Sequence, residues 1–147
     1  MIYLVDTNVL LGAVHTEDSR YPIVQTAVSK LWTNGDQLQT ASQNLAEFWN
    51  VSTRPKHLNG FGRTPLETDP LLQELERLFP LLKDSHNVYP LWRRLVVKYD
   101  VSGKQVHDAR LVAAMVFHGV KRILTFNTAD FTRYAAEGIT AVNPADA

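Results

Sequence analysis

The chain contains no cysteine, which excludes disulfide bridges and thiolate metal sites. That composition fits a reducing cytoplasm, the expected location. No apolar run approaches the roughly 20 residues that a bilayer-spanning helix needs. The first residues carry no basic segment of the kind that opens a secretory leader. Membrane insertion and export are therefore not expected. Charge of neither sign is in excess, with 15 Lys plus Arg against 15 Asp plus Glu. A protein that relies on sequence-independent contact with nucleic acid is usually more basic. Any such contact here needs a local basic patch, or cations that offset an acidic pocket. Internal repeats, low-complexity tracts and linkers are also missing. What is present is an ordinary globular composition, 45% apolar and 20% charged over 147 residues. It implies a single domain spanning residues 1–147, long enough to bury a core.

The apolar pattern predicts alternating strands and helices. Ile2 to Val5 is apolar on both faces, as a central strand covered by helices would be. A helix is expected from Leu10, and another from about Pro22 to Trp32, closed by Asn34-Gly35. Gln37 to Thr40 reads as a second strand, and Ser42 as the cap of a helix carrying Leu45 and Phe48 inward. Arg54-Pro55 ends that helix and opens a loop. Thr68-Asp69-Pro70 is expected to start a helix with Leu71, Leu72, Leu75 and Leu78 at helical spacing. A short strand near Asn87 to Tyr89 should lead to a helix from Pro90 to about Tyr99. Lys104 to His118, ended by Gly119, reads as a helix apolar all round from Leu111 to Phe117 and hence buried. Arg122 to Phe126 is a strand, and Thr140 to Val142 an edge strand. The alternation implies an α/β fold, a three-layer α/β/α sandwich with a central parallel sheet of four to five strands.

Four acids stand where such a fold brings them together. Asp6 directly follows the first strand, at the edge where open parallel sheets bind ligands. Glu47 lies among large apolar residues, where a carboxylate is costly unless it is paired or cation-bound. Asp108 lies in the first turns of the buried helix, and Asp130 just past the Ile123–Phe126 strand. Each also has an ordinary explanation. Asp6 and Asp130 can cap helices, Asp108 can complement a helix N-terminus, and Glu47 can lie on an exposed stripe. Their joint occurrence favours a shared site. Gathered carboxylates repel and raise one another's pKa. Mg2+, with Mn2+ as an alternative, would relieve this through oxygen ligands while keeping several waters. Such a site suits phosphodiester cleavage. Arg54, Lys56 and Arg63, beside His57 and Phe61, form a basic loop suited to RNA, although a solvated loop has the same composition.

Asp6-Thr7-Asn8 after the first strand resembles the opening motif of PIN-domain ribonucleases. Asn44-Leu45-Ala46-Glu47-Phe48 matches their second acidic position, and Val106-His107-Asp108-Ala109-Arg110 resembles their third acidic motif. Leu124-Thr125-Phe126-Asn127-Thr128-Ala129-Asp130-Phe131 looks like their final strand motif. The likeness spans essentially the whole chain in the expected order. A bare domain of this length most resembles the VapC-type toxins of toxin–antitoxin pairs. That resemblance implies an endoribonuclease leaving a 5′-phosphate and a 3′-hydroxyl, acting on tRNA or another structured RNA. It also implies a cognate antitoxin and a homodimer. Asp6 and Asp108 would be direct metal ligands, with Glu47 a ligand or water-orienter. Asp130 or Asn127 would complete the set, supported by Thr7, Asn8, Asn44 and Thr125. The chain departs from the family pattern at Asn127, where an acid is common. The alternative reading is a catalytically degenerate PIN domain serving as a binding module. A receiver-like domain fits less well, because Asp6 has no acidic neighbour and no mid-chain strand ends in Asp.

Overall fold

The computed structural model describes residues 1–147. Four strands form one sheet: β1 (Ile2–Val5), β2 (Gln37–Gln39), β3 (Arg122–Leu124) and β4 (Thr140–Val142). Their order is β2-β1-β3-β4, and every pairing is parallel. The chain moves from β1 outward to β2, then returns to the other side of β1 for β3. The order therefore reverses between β1 and β3, and the crevice beyond their carboxyl ends is the switch point of an open parallel sheet.

Six α-helices cover this sheet: α1 (Thr7–Val14), α2 (Tyr21–Thr33), α3 (Ser42–Thr53), α4 (Pro65–Leu78), α5 (Val88–Lys98) and α6 (Val106–His118). Side chains alternate across a strand, and the two cores follow that alternation. Tyr3 and Val5 of β1 and Leu124 of β3 pack with α1 to α4. Leu4 and Ile123 point the other way, into a core with α5, α6 and the 3-10 segment Thr128–Glu137. The three-layer α/β arrangement with a parallel sheet is as expected, with four strands.

Several boundaries differ from the sequence expectation. Asn87 to Tyr89 is not a strand but the start of α5. Thr40 instead bridges in parallel to Leu81, just before it. Helix α4 begins at Pro65, ahead of Thr68, because Thr64 and Glu67 form a reciprocal capping box. Pro70 then falls inside the helix. It and Leu66, four residues earlier, both lie on the exposed side, where solvent satisfies the freed carbonyl. Helix α1 starts directly at Thr7 rather than Leu10, because Asp6 is its N-cap. The 106–118 helix is not buried all round, since Phe117 reaches solvent. Gly119 ends it with φ 70°, a left-handed conformation open to glycine at no steric cost.

Candidate active site

Asp6 and Thr125 end the two central strands, β1 and β3. The Asp6 amide donates to the Leu124 carbonyl (3.0 Å), extending the β1–β3 pairing by one residue and setting the two side chains next to each other. Asp6 is buried and its carboxylate accepts four donors. The Thr7 amide (2.8 Å) and Asn44 Nδ2 (3.3 Å) reach one oxygen. The Thr125 hydroxyl (2.8 Å) and Asn8 Nδ2 (3.4 Å) reach the other. Burial pushes its pKa up, the Thr125 and Thr7 hydrogen bonds oppose that, and the charges of Glu47 and Asp130 add to the rise.

The supporting residues form a closed lattice around it. Asn44, wholly buried, donates also to the Thr7 hydroxyl (3.2 Å), and its Oδ1 accepts from the Ala41 amide (3.2 Å). The Thr7 hydroxyl donates to Glu47 Oε2 (2.9 Å). Asn8 Nδ2 also donates to Thr125 Oγ1 (3.2 Å), and its Oδ1 accepts from the Phe126 amide (3.0 Å). The Asn127 amide donates to Thr125 Oγ1 (3.0 Å). No buried side-chain nitrogen or oxygen of the protein lacks a partner. The crevice is thus held in one arrangement from α1, α3 and the end of β3.

Glu47 comes from the second turn of α3 and Asp108 from the first turn of α6. Asp130 comes from the first turn of the 3-10 segment, which starts at Thr128, so it is not a cap; Asn127 holds that position without a side-chain cap bond. The charges of Asp6, Asp130 and Glu47 all act on Asp108, together with its burial, and push its pKa up to about 7. Burial is the largest cause, and Arg133 opposes it. All four sequence-flagged acids are therefore within electrostatic reach of one another, each from a different segment of the chain.

Two contributors had no signal in the sequence. Gln43 donates to Glu47 Oε1 (3.3 Å) and to the His107 carbonyl (2.8 Å), tying α3 to the entrance of α6. Arg133 donates to Gln105 Oε1 (2.8 Å) and is the one cation acting on Asp108. The basic loop lies elsewhere. Arg63 Nε donates to Nδ1 of buried His15 (3.0 Å), its guanidinium pairs with Glu17, and Phe61 stacks on the His15 ring at 3.7 Å. Glycine at position 60 allows the loop to fold against the Arg54 carbonyl, where a Cβ would clash at 1.9 Å. Arg54 is partly buried and Lys56 exposed. His15 caps the far end of α1, about 13.5 Å along the helix from Asp6.

The donor set of the crevice is entirely oxygen, the kind a hard divalent cation takes. As arranged, no three of its acids form a group that could enclose an ion. Burial first and the facing carboxylates second raise the pKa of Asp108, and a bound cation relieves both. The two amide contacts on Asp6, from Asn8 and Asn44, are the longest of its four. The residues fit an open, water-rich Mg2+ site using one or two direct carboxylates.

The PIN domain family matches residues 3–137. No curated protein sequence matches the chain. Among solved structures it resembles VapBC-1 from nontypeable Haemophilus influenzae (TM-score 0.70, 13% identity, 98% of each chain covered). It also resembles VapBC2 from Rickettsia felis, a structure with a DNA fragment from the promoter (0.67, 16%, covering 97% of this chain and 98% of that one). A third is FitAcB from Neisseria gonorrhoeae (0.60, 17%, 98% of each). At these identities the likeness is one of fold. With the family match over nearly the whole chain, and Asp6, Glu47, Asp108 and Asp130 around one crevice, this protein belongs to the PIN-domain family.

Proposed function

We propose that the protein is a Mg2+-dependent endoribonuclease, the toxin of a toxin–antitoxin pair. The observation that carries this reading is Asp108, driven to a pKa of about 7 by burial and three facing carboxylates at the sheet's switch point. PIN-family membership and a fold shared with VapBC and FitAB proteins support it. The structures it resembles are of toxin–antitoxin complexes, which supports a small antitoxin as partner; a homodimer is part of the same reading. No helix is long and apolar enough to cross a membrane.

Asp6 and Asp108 would hold the ion, with Glu47 and Asp130 beside it and Mn2+ as an alternative metal. When bound, such an ion supplies Lewis acidity and positive charge toward the scissile phosphate. Thr125 fixes the Asp6 carboxylate by donating to it, and Thr7 does the same for Glu47, so both enter the reaction pre-oriented. Glu47, held by Thr7 at one carboxylate oxygen and by Gln43 at the other, orients the attacking water. The products are a 5′-phosphate and a 3′-hydroxyl, and the substrate is tRNA or another structured RNA.

Digestion of RNA with Mg2+ or Mn2+, with chelator, and with Asp6→Asn tests this directly. Cleavage that stops with chelator and with Asp6→Asn is expected. Undiminished cleavage by the Asp6→Asn protein would overturn the assignment. An inert wild-type protein that still binds RNA would favour the binding-module reading, for which Asn127 in place of an acid is the supporting observation.

A further inference from the structure

The net charge of zero conceals a separation of charge. Helix α4 carries Glu67, Asp69, Glu74 and Glu76 against Arg77, whereas α5 carries Arg93, Arg94 and Lys98 and no acid. The two helices lie on opposite sides of the sheet. The basic one adjoins the acidic crevice. Trp92 of α5 donates its indole N–H to the Val106 carbonyl (2.8 Å), two residues before Asp108.

A chain of cavities links the two. Gln43, which bonds Glu47, forms the wall between the crevice and a cavity of about 210 Å3 under Arg110 and His86. His86 and Arg110 also line a second cavity, of about 340 Å3, floored by Tyr89 and Trp92. Tyr89 continues into an open trough with Arg93, Arg94 and Lys98. Tyr89 is 62% exposed, and its ring lies 5.9 Å from that of Trp92. The single acid lining the innermost cavity, Asp84, accepts the Ser42 hydroxyl (2.7 Å). Arg94 and Lys98 share Glu137, while Arg93, on the trough, and Arg110, on the two inner cavities, have no acidic partner.

We propose that this track binds an unpaired RNA segment and leads it to the crevice, with a base against Tyr89 and Trp92 and phosphates along Arg93 and Arg110. The inference rests on the nuclease reading and gives that site its substrate form, single-stranded rather than duplex. Exposed aromatics interleaved with cations are what bases and phosphates take. A crevice of carboxylates repels phosphate, so the attraction must come from its flank. A second copy of the chain fits the same face poorly. A two-fold contact would set Arg93 and Arg94 against their own equivalents, and such interfaces must be self-complementary.

The test is fluorescence anisotropy of a labelled 12-nucleotide single-stranded RNA with the full chain in chelator, where cleavage is blocked. Tyr89→Ala is expected to weaken binding about 10-fold, as loss of one stacked base does. Arg93→Glu should weaken it and flatten its salt dependence. Arg77→Glu on α4 should change neither, and duplex RNA of the same sequence should be insensitive to Tyr89→Ala. Wild-type protein that does not bind the strand, or variants that bind it unchanged, would overturn the track. So would sedimentation showing a dimer that Tyr89→Ala dissociates, which would give the face to a second copy. Cleavage assays separate the two readings. Loss of cleavage with Asp6→Asn while α5 variants bind RNA normally would refute the track alone. A wild type that binds through α5 but never cleaves would refute the nuclease alone.

Discussion

Asp108 and Glu137 are the same chemical group in opposite surroundings. Asp108 faces burial and three carboxylates, and its pKa rises to about 7. Glu137, with a side chain 8% exposed, accepts Arg94 (2.8 Å), Lys98 (2.9 Å) and the Tyr99 hydroxyl (2.7 Å), and its pKa falls to about 2. The difference separates an acid that steadies the fold from one that the fold keeps in tension. Glu137 joins the 3-10 segment to α5. Of the charges acting on Asp108 only that of Arg133 favours its ionised form, and such crowding is typical of functional sites.

The largest expected effect is on catalysis. Asp108→Asn should lower cleavage on the order of 100-fold or more, while thermal melting in chelator shows stability unchanged or raised because a repulsion is gone. A destabilised Asp108→Asn protein would mean that the carboxylate is structural after all, and the contrast with Glu137 would collapse.

The pH dependence of melting sharpens the contrast further. The folded-state pKa of Asp108 lies above its ordinary 3.8, so its ionisation disfavours the fold and stability drains as pH rises from about 4 through about 7. Glu137 has a folded-state value below the ordinary 4.5, so its contribution is present above pH 4.5 and lost as pH falls toward 2. His15, lowered from 6.5 to about 4 chiefly by burial and then by Arg63, is held neutral and accepts from Arg63 at Nδ1. Its contribution is lost as pH falls from about 6.5 through 4. In melting curves without divalent ions, Asp108→Asn should remove the loss on the alkaline side, and Mg2+ should raise the melting temperature most above pH 7. A Mg2+ effect equal at pH 5 and pH 8 would contradict this.

Glu137→Gln is expected to cost about 1 kcal/mol, because Arg94 and Lys98 are about half exposed and solvent screens them. For a chain of this size that is a fall of about 3 °C in melting temperature, with cleavage retained. The smallest effect should come from Arg77→Ala, which breaks only the exposed Glu74 pair on α4. Differential scanning calorimetry should show no resolvable shift in melting temperature; a clear fall would mean that surface pairs matter here as much as the Glu137 cluster.

Asp6, Asp108 and Asp130 were legible because each follows a strand or opens a helical segment, which leaves local marks, and Glu47 because it stands among large apolar residues. Asp6-Thr7-Asn8 after an apolar run needed no long-range information, and neither did Thr64 and Glu67 as a capping box, although the helix start was expected three residues later. Asn87 to Tyr89 misled, since a Val-Tyr pair fits a strand as well as the first turn of α5. Gln43 and Arg133 left no trace. Their roles depend on α3 meeting the His107 carbonyl and on the 3-10 segment meeting Gln105.

The sequence alone set the order of strands and helices, the apolar faces, and which acids end them, because periodicity and capping are local chemistry. Only the tertiary structure decided that Arg63 would serve His15, that α5 would bring its cations beside the crevice, and that Asp108 would carry the strain of four charges. Those outcomes depend on distances between residues far apart in the chain, and electrostatic energy is fixed by distance and burial rather than by position in the sequence.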